Sequence, residues 1–491
     1  MIQSLRAFGY DLPTAIADLL DNSISASAKN IWLNLHWSGT ASTIAIIDDG
    51  KGMSEGDLVS AMRPGSRSPL EMRDPGDLGR FGLGLKTASF SQCRRLTVGS
   101  KRSGGSVAIR CWDLDYVTQT GQWRLLHGGS PDAERWFTAL STMTSGTIVV
   151  WEEMDRLVAG TDVSSDSDHA LFLARADEVK QHVAMVFHRF LEGPRALRIH
   201  INGSLVKPWD PFLSKEPATR LLADESVALF GSRLHILPYV LPHHSKTSAE
   251  IYSRAAGPHG WNAQQGFYVY RNKRLLAAGD WLGLGLPRAE HYKLARILLD
   301  IPNSMDAEWE IDVKKSRASP PASIRQKLKS LANLTRAASS SIYRHRGARI
   351  SRGAAEQVSL WERRVQHSEI SYAINRSHPL VQAALSGTRD ENRRVKTLLS
   401  VIEETVPVPT IIMDGAESPE AHAKPFSQTP PAVLQAALEQ TYQALRSAGF
   451  DEEQTKIRLL NTEPFDRFPE AVMALADSTP HQETSNGPIS E

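Results

Sequence analysis

The sequence has few cysteines and no long apolar run, and both absences narrow the classes of protein that it can belong to. Only two cysteines, Cys93 and Cys111, occur in 491 residues, too few for a disulfide scaffold or a zinc site built from cysteines alone. The sequence contains no run of about 18 apolar residues, the length needed to cross a bilayer, and residues 1–6 lack the pattern of a signal peptide. We therefore expect a cytoplasmic protein without membrane contact, whose two thiols are reduced and buried in a core.

Net charge is also small, at +1, but the basic residues are unevenly distributed. Residues 311–365 contain thirteen lysines and arginines against three acids, so the rest of the chain is acidic on balance. Clustered positive charge is typical of proteins that bind a phosphate backbone, although a solvated helix face produces the same pattern. The content of 41% hydrophobic and 23% charged residues is that of a globular protein, long enough for several domains.

Near the start of the chain, a polar cap and apolar periodicity predict a helix that ends at about residue 26. Asp11 and Pro13 suit the cap and the first turn of this helix. Asp18 and Asn22 are one turn apart and share the face opposite the apolar residues. Asp21 lies about 60° further around the helix from Asn22 than Asp18 does, so we assign it no role.

A glycine turn follows the strand predicted at residues 43–47 and places an acid at the end of that strand. Asp48 can accept a hydrogen bond from an amino group such as that of adenine. Gly50 and Gly52 let the backbone approach a base closely, and Met53 can pack on its ring. An ordinary Asx-type turn gives the same residues in many proteins, so this motif needs its neighbours to carry meaning.

Three glycines before a helical segment form a second candidate part of a nucleotide site. Exposed amides at a helix start bind phosphates, and here Gly79, Gly82 and Gly84 directly precede Lys86 and Thr87. Lys86 can add a positive charge, but the spacing does not match a P-loop. The segment before these glycines is expected to form a mobile lid over the nucleotide.

Taken in this order, the motifs of residues 18–87 resemble the Bergerat ATP-binding fold of the GHKL superfamily. That superfamily includes gyrase, the ninety-kilodalton heat-shock chaperone, histidine kinases and MutL. The resemblance implies an α/β sandwich that binds ATP and Mg²⁺, in which Asp18 polarises the attacking water and Asn22 binds the metal. It also implies that Thr147, at the start of a predicted strand, supports Asp48. Most hydrolysing relatives have glutamate where this chain has Asp18, so the shorter side chain predicts low turnover.

The chain after about residue 170 resembles the transducer domain that follows the ATPase domain in MutL, type II topoisomerases and MORC proteins. The resemblance implies a lysine that reaches the γ-phosphate. Lys314 and Lys315, after a strand predicted at residues 309–313, have the right position, and side-chain alternation slightly favours Lys315. A basic strand end that faces solvent would explain the same two residues.

Changes in composition divide the chain into six predicted segments. They are an ATP-binding domain (1–155), a transducer-like α/β domain (170–320), a basic helical region (321–402), a proline-rich linker (403–431), a small helical segment (432–476) and a disordered tail (477–491). We also expect a Ser/Asp-rich connection at 156–172, a helix at 175–191 and a strand at 266–275. Only about ten residues precede the first helix, so an N-terminal dimer arm is either lost or lies upstream.

The resulting prediction is an ATPase of the prokaryotic MORC-like or MutL-like kind, a type often linked to restriction and phage defence. We expect an ATP-dependent homodimer that closes as a clamp on double-stranded DNA through residues 314–364, with nuclease or helicase partner proteins. A chaperone-like ATPase that acts on protein clients is the alternative, because it shares the nucleotide motifs but does not need the basic cluster. A histidine kinase is disfavoured, because its ATP-binding domain is typically C-terminal.

Overall fold

A computed structural model describes residues 6, 9–63, 84–305, 308–311, 318–344, 358–366, 369–408, 411 and 431–475. Contacts between residues divide the chain into two compact units, Met1–Ala348 and Arg349–Glu491. No helix in these ranges is both long and apolar enough to cross a bilayer. Cys93 and Cys111 are buried and form no disulfide, as predicted, and burial raises the pKa of the Cys111 thiol to about 11.

Eight strands of the first unit form one mixed sheet. They are β1 (Asn30–His36), β2 (Thr43–Asp48), β3 (Arg95–Lys101), β4 (Ala108–Asp113), β5 (Leu126–His127), β6 (Gly146–Glu152), β7 (Arg198–Ile201) and β8 (Ser204–Leu205). In space their order is β5-β4-β3-β6-β2-β1-β7-β8. Neighbouring strands are antiparallel, except that β1 and β7 are parallel.

Helices cover both faces of this sheet. They are α1 (Leu12–Ser25), α2 (Glu55–Met62), α3 (Gly84–Gln92), α4 (Leu114–Thr120), α5 (Pro131–Thr142) and α6 (Asp166–Val186). Helices α1, α3 and α6 share the larger apolar core with one face of the sheet, and α5 packs on the other face. Successive residues of β6, such as Ile148 and Val149, enter opposite cores because side chains alternate along a strand. Burial on both faces explains why residues 44–47 form a continuous apolar run.

Helix α1 forms as predicted and is fixed at its start by a side-chain cap. The Asp11 carboxylate accepts a hydrogen bond of 2.8 Å from the Thr14 amide, and Pro13 lies in the first turn. Helix α6, by contrast, begins at Asp166 rather than at residue 175. Ser165 caps it by accepting from the Asp168 amide, so part of the predicted connection at 156–172 is a helix start.

The hairpin of β7 and β8 belongs to the first sheet, although the sequence places it in the second predicted domain. Its two-residue turn at Asn202 and Gly203 has positive φ angles of 46° and 79°, as the sequence predicts for a hairpin. The hairpin extends the first sheet through β1, however, and Val206 is still buried in the first core. These strands therefore pack with the first sheet although they follow residue 170, and the domain borders stay predictions.

A second sheet follows in the same unit. Its strands are β9 (Arg220–Leu221), β10 (Glu225–Leu229), β11 (Ser232–Val240), β12 (Gly266–Arg271), β13 (Arg274–Asp280) and β14 (Ala295–Ile301), and its helices are α7 (Ala249–Ala255), α8 (Gly260–Ala263) and α9 (Ala322–Arg344). The strand order is β10-β11-β14-β12-β13, with β9 paired to β11. Ile324 and Leu328 of α9 enter the core of this sheet. The start of the predicted basic helical region therefore packs as part of the second α/β layer.

Two strands predicted for this layer differ from the structure. The segment 266–275 is not one strand, because Asn272 and Lys273 have positive φ angles of 47° and 68° and turn the chain between β12 and β13. The predicted strand at 309–313 is not formed over its described part, since Glu308–Glu310 form a turn in which Trp309 is fully buried; residues 312 and 313 lie outside the described residues. Its apolar side chain fills the core from a turn, and this imitates a strand pattern in the sequence.

The second unit combines a hairpin with helices. It contains β15 (Trp361–Gln366), β16 (Glu369–Ile374), α10 (Pro379–Ala384), α11 (Arg389–Glu404), α12 (Pro431–Ser447), α13 (Glu452–Leu460) and α14 (Pro469–Met473). A small core joins Leu438 and Tyr442 of α12 to Leu459 of α13. The hairpin was not predicted, so the region 321–402 is not purely helical. Most of the predicted linker and the predicted tail lie outside the described residues.

Candidate nucleotide site

Asp48 ends β2 as a buried carboxylate with hydrogen bonds to both of its oxygens. The Ser23 hydroxyl donates to Oδ2 and the Gly50 amide donates to Oδ1, each at 2.9 Å. Burial raises the pKa of the Asp48 carboxyl, although hydrogen bonds from Gly50, Ser23 and Thr147 act in the opposite direction. Each carboxylate oxygen has two lone pairs, so Asp48 can still accept a hydrogen bond from a ligand. The bond from Ser23 also ties α1 to the end of β2.

Thr147 supports this strand end through a residue that the sequence motifs do not include. It lies opposite Asp48 in the pairing of β2 with β6, and its hydroxyl is 2.9 Å from that of Ser100. The Ser100 hydroxyl accepts from the Met53 amide at 2.8 Å and donates to the Gly146 carbonyl at 3.0 Å. Ser100 thus joins β3, β6 and the glycine turn. Ser100 is fully buried near the end of β3, and no local sequence motif marks its position.

The two glycines after Asp48 are needed for close packing of the backbone. Gly52 has a φ of +64°, and a Cβ at this position would lie 1.9 Å from the Lys101 carbonyl oxygen. A Cβ on Gly50 would lie 2.9 Å from that of Ala26. The turn therefore passes against β3 and the end of α1. Met53 is half-buried against the larger core beside this turn.

Asp49, next to Asp48, has a different environment. It accepts hydrogen bonds from the Lys29 amide (2.7 Å), the Asn30 amide (2.9 Å) and the Asn30 side chain (2.6 Å). Its partial burial would raise the pKa of the carboxyl, but these hydrogen bonds outweigh burial and hold the pKa below its usual value. Asp49 therefore fixes the turn, and the site prediction rests on Asp48.

Helix α1 brings Asp18 beside the start of α3. Asp18 is 3% exposed, and its Oδ2 accepts a hydrogen bond of 2.9 Å from the Tyr10 hydroxyl. A Cβ added to Gly84, at the start of α3, would lie 3.7 Å from the same oxygen. Asn22, one turn further along α1, has an exposed side chain. The motifs at Asp18, Asp48 and Gly84 are thus drawn together around α1, although they are far apart in sequence.

Asp21, to which the sequence assigns no role, forms a buried ion pair with a residue of the second sheet. Arg274, the first residue of β13, donates from Nε to both carboxylate oxygens of Asp21 at 2.9 and 2.8 Å. Its Nη2 also lies 3.7 Å from Oδ1 of Asp18, and all three side chains are buried. No local pattern indicates this arrangement, because Arg274 follows Asp21 by 253 positions.

Lys86 and Thr87 are both buried, and Lys86 does not have the environment predicted for it. Its ammonium donates to the carbonyls of Ala61 and Arg63, at the end of α2, each at 2.8 Å. Burial lowers its pKa to about 8. These two carbonyls take two of the three donors of the ammonium, so the predicted contact of Lys86 with phosphates stays a prediction.

Four of the predicted site residues lie outside the described residues: Gly79, Gly82, Lys314 and Lys315. The same holds for most of the predicted lid. What is described fits ATP at the base end, where a buried acceptor meets a glycine turn. It also fits Mg²⁺ next to Asn22, because this ion takes few protein ligands and keeps waters and phosphate oxygens. Bound Mg²⁺ would neutralise phosphate charge beside Asp18.

Known proteins are similar in sequence to parts of this chain. Residues 10–147 match the family of histidine kinase-, DNA gyrase B- and HSP90-like ATPases. The chain is 24% identical to ATPase morc-1 of Caenorhabditis elegans over 233 residues, 40% of this chain and 27% of that protein. It is 32% identical to the DNA mismatch repair protein MutL of Rhodospirillum rubrum over 96 residues, 19% of this chain and 15% of that protein.

Among solved structures, the chain resembles the ATPase and transducer domains of DNA topoisomerase II from Balamuthia mandrillaris. The TM-score is 0.37 and the sequence identity 10%, and the match covers 68% of this chain and 86% of that one. The curated relatives are each matched over less than a third of their own length. Residues 10–147 belong to the GHKL superfamily of histidine kinase-, gyrase- and HSP90-like ATPases, in a chain similar to MORC and MutL proteins.

Proposed function

We propose that the protein binds ATP with Mg²⁺ and hydrolyses it slowly to ADP and phosphate. The observation that carries this proposal is the convergence of Asp18, Asn22 and Asp48, two of them buried and one exposed, around α1 and the end of β2. Asp48 accepts a hydrogen bond from the adenine amino group, and Asn22 offers its amide oxygen to the metal. Asp18 takes the proton of the attacking water.

Low turnover follows from the reach and the surroundings of Asp18. An aspartate is one methylene shorter than the glutamate of most hydrolysing relatives. Its carboxylate is also held by the Tyr10 hydroxyl inside a closely packed helix, so it cannot shift far towards a water. Small errors in position are costly for proton transfer, and a displacement of about 1 Å can lower a rate by roughly 100-fold.

Replacement of Asp18 by Asn tests the hydrolytic part. The amide keeps an oxygen to accept from Tyr10 but lacks the basicity to take a proton, so turnover should fall by about 100-fold or more while ATP still binds. Asp11→Asn is the matched control, because it removes the same charge from the same helix and asparagine caps a helix equally well. Full turnover in Asp18→Asn would remove this residue from the mechanism.

We further propose that ATP-bound chains pair and close on double-stranded DNA through residues 314–364, in restriction, phage defence or repair. The basic composition of this segment supports the proposal, as does similarity to MutL, a DNA mismatch repair protein. Two of its cations are already engaged. Arg336 is buried with its guanidinium 3.9 Å from the Tyr292 ring centre, and Lys327 pairs with Glu225 at 2.8 Å. The charge that meets DNA must come from other residues.

Neutralisation of Arg344, Arg346 and Arg349 to Gln tests the DNA part. Removal of one ionic interaction with a DNA phosphate should reduce the slope of log affinity against log salt by about 1, so we expect a reduction of roughly 2–3. The control is Arg389, Arg393 and Arg394 to Gln in α11, three exposed cations outside the segment. No duplex affinity at physiological salt, with no effect of the first triple change, would favour a chaperone-like ATPase.

A further inference from the structure

We propose that Arg274 is a positioning residue for Asp18, through which the second sheet holds the acid in the orientation that hydrolysis needs. This inference rests on the proposed role of Asp18 in hydrolysis.

The guanidinium of Arg274 is itself fixed in place. Nε donates to both oxygens of Asp21, and Nη1 donates to the Leu275 carbonyl at 3.0 Å. The side chain is 2% exposed and begins β13 directly after the Asn272–Lys273 turn. A short hairpin and a buried ion pair thus set the position of Nη2, which lies 3.7 Å from Oδ1 of Asp18.

The carboxylate of Asp18 is therefore held from two sides. Tyr10, from the segment before α1, donates to Oδ2, while Arg274, from the second sheet, places a positive charge beside Oδ1. A carboxylate between a hydroxyl donor and a guanidinium cannot rotate freely. An acid that takes a proton from water must point at that water, so fixing its rotamer contributes directly to the rate.

A second contact between the same parts of the chain provides a control. Beyond the end of α6, Arg189 forms two hydrogen bonds of 2.8 Å with Asp300 of β14. This pair also fastens the second sheet to the first layer, but it involves no residue of α1. If Arg274 only fastens the sheet, loss of either pair should have a similar effect.

The main variant is Arg274→Met combined with Asp21→Leu. Arg274→Met alone would remove the cation that pairs with the buried Asp21 carboxylate and would destabilise the protein, whereas replacement of both partners by apolar residues is often tolerated. We expect kcat to fall by about 10- to 100-fold, with the Kd of a non-hydrolysable ATP analogue unchanged to within about twofold. Arg189→Met with Asp300→Leu should leave both constants unchanged. In an Asp18→Asn background, the main variant should cause no further loss.

Three results would overturn the inference: an unchanged kcat in the main variant, a Kd that rises in step with the loss of kcat, or an equal loss of kcat in the control pair. The single change Arg274→Lys should leave kcat between those of the main variant and the wild type. It keeps the charge and the pairing with Asp21 but not the fork geometry of the guanidinium. Should the wild type bind nucleotide without turnover, both this inference and the proposed hydrolysis fail. Turnover that Asp18→Asn abolishes but the main variant leaves intact contradicts this inference alone.

Discussion

Replacement of Asp48 by Asn should weaken nucleotide binding while leaving the fold in place. The Gly50 amide can only donate, so the new side chain must turn its oxygen towards Gly50 and its NH₂ group towards Ser23. The Ser23 hydroxyl can rotate and accept instead of donating, so it keeps its partner. An adenine amino group that approaches from this side, however, now meets a second donor.

The size of the effect follows from the loss of one buried hydrogen bond to the ligand. Such a loss costs about 1–3 kcal/mol, which corresponds to a rise in Kd of roughly 5- to 140-fold. Stability should not fall in parallel. An acid whose pKa is raised on folding contributes stability below its unfolded value of 3.8, and this contribution is lost as pH rises through the folded pKa. At neutral pH the wild type therefore carries a cost for the ionised Asp48 that the asparagine variant avoids.

Calorimetry with a non-hydrolysable ATP analogue, together with thermal unfolding at pH 7, separates these two effects. Asp49→Asn is the matched control, because it makes the same change one residue later, where the carboxylate accepts from Lys29 and Asn30. We expect this control to lower the unfolding temperature and to bind nucleotide like the wild type. A wild-type Kd in Asp48→Asn would refute the assignment of Asp48 to the adenine end.

Three further predictions concern the metal, the turn and a buried cation. Asn22→Ala should remove the Mg²⁺-dependent part of nucleotide binding, measured as the difference between Kd values with and without the ion, and leave the rest. Gly52→Ala should lower the unfolding temperature, since its Cβ would meet the Lys101 carbonyl, whereas Gly56→Ala, in open space on α2, should raise it slightly. Burial lowers the pKa of Lys86 from 10.5 to about 8, so this residue contributes stability above pH 10.5 that is lost as pH falls through about 8. Lys86→Met should abolish this dependence on pH. A variant whose unfolding temperature varies with pH as in the wild type would contradict the prediction.

The sequence predicts those parts of the site whose structure is determined by residues close together in the chain. Helix α1 has its cap, its proline and its apolar period within fourteen residues, and β2 has an apolar run that ends in an acid and a glycine turn. Local energetics decide both, so Asp18, Asn22 and Asp48 could be identified before their distances were known.

What the sequence does not show depends on partners that are distant in the chain. Arg274 and Asp21 are 253 positions apart, and nothing near either residue indicates a buried ion pair. The parallel pairing of β7 with β1 likewise joins segments that local patterns assign to different domains. The same limit applies to Lys86, because its local pattern does not reveal the carbonyls at the end of α2 that accept from its ammonium.

The β7–β8 hairpin has a consequence for dissecting the protein into fragments. A fragment that stops near residue 155, where the sequence suggests that the first domain ends, would leave one long edge of β1 with unpaired amides and carbonyls. It would also strip α6 from the apolar core that it covers. Exposed edges and uncovered apolar surface promote self-association, so such a fragment should aggregate rather than report on the enzyme. A fragment that ends between Val206 and Arg274 would keep the first sheet intact but would lack Arg274. The nucleotide domain therefore cannot be isolated without altering the surroundings of Asp18.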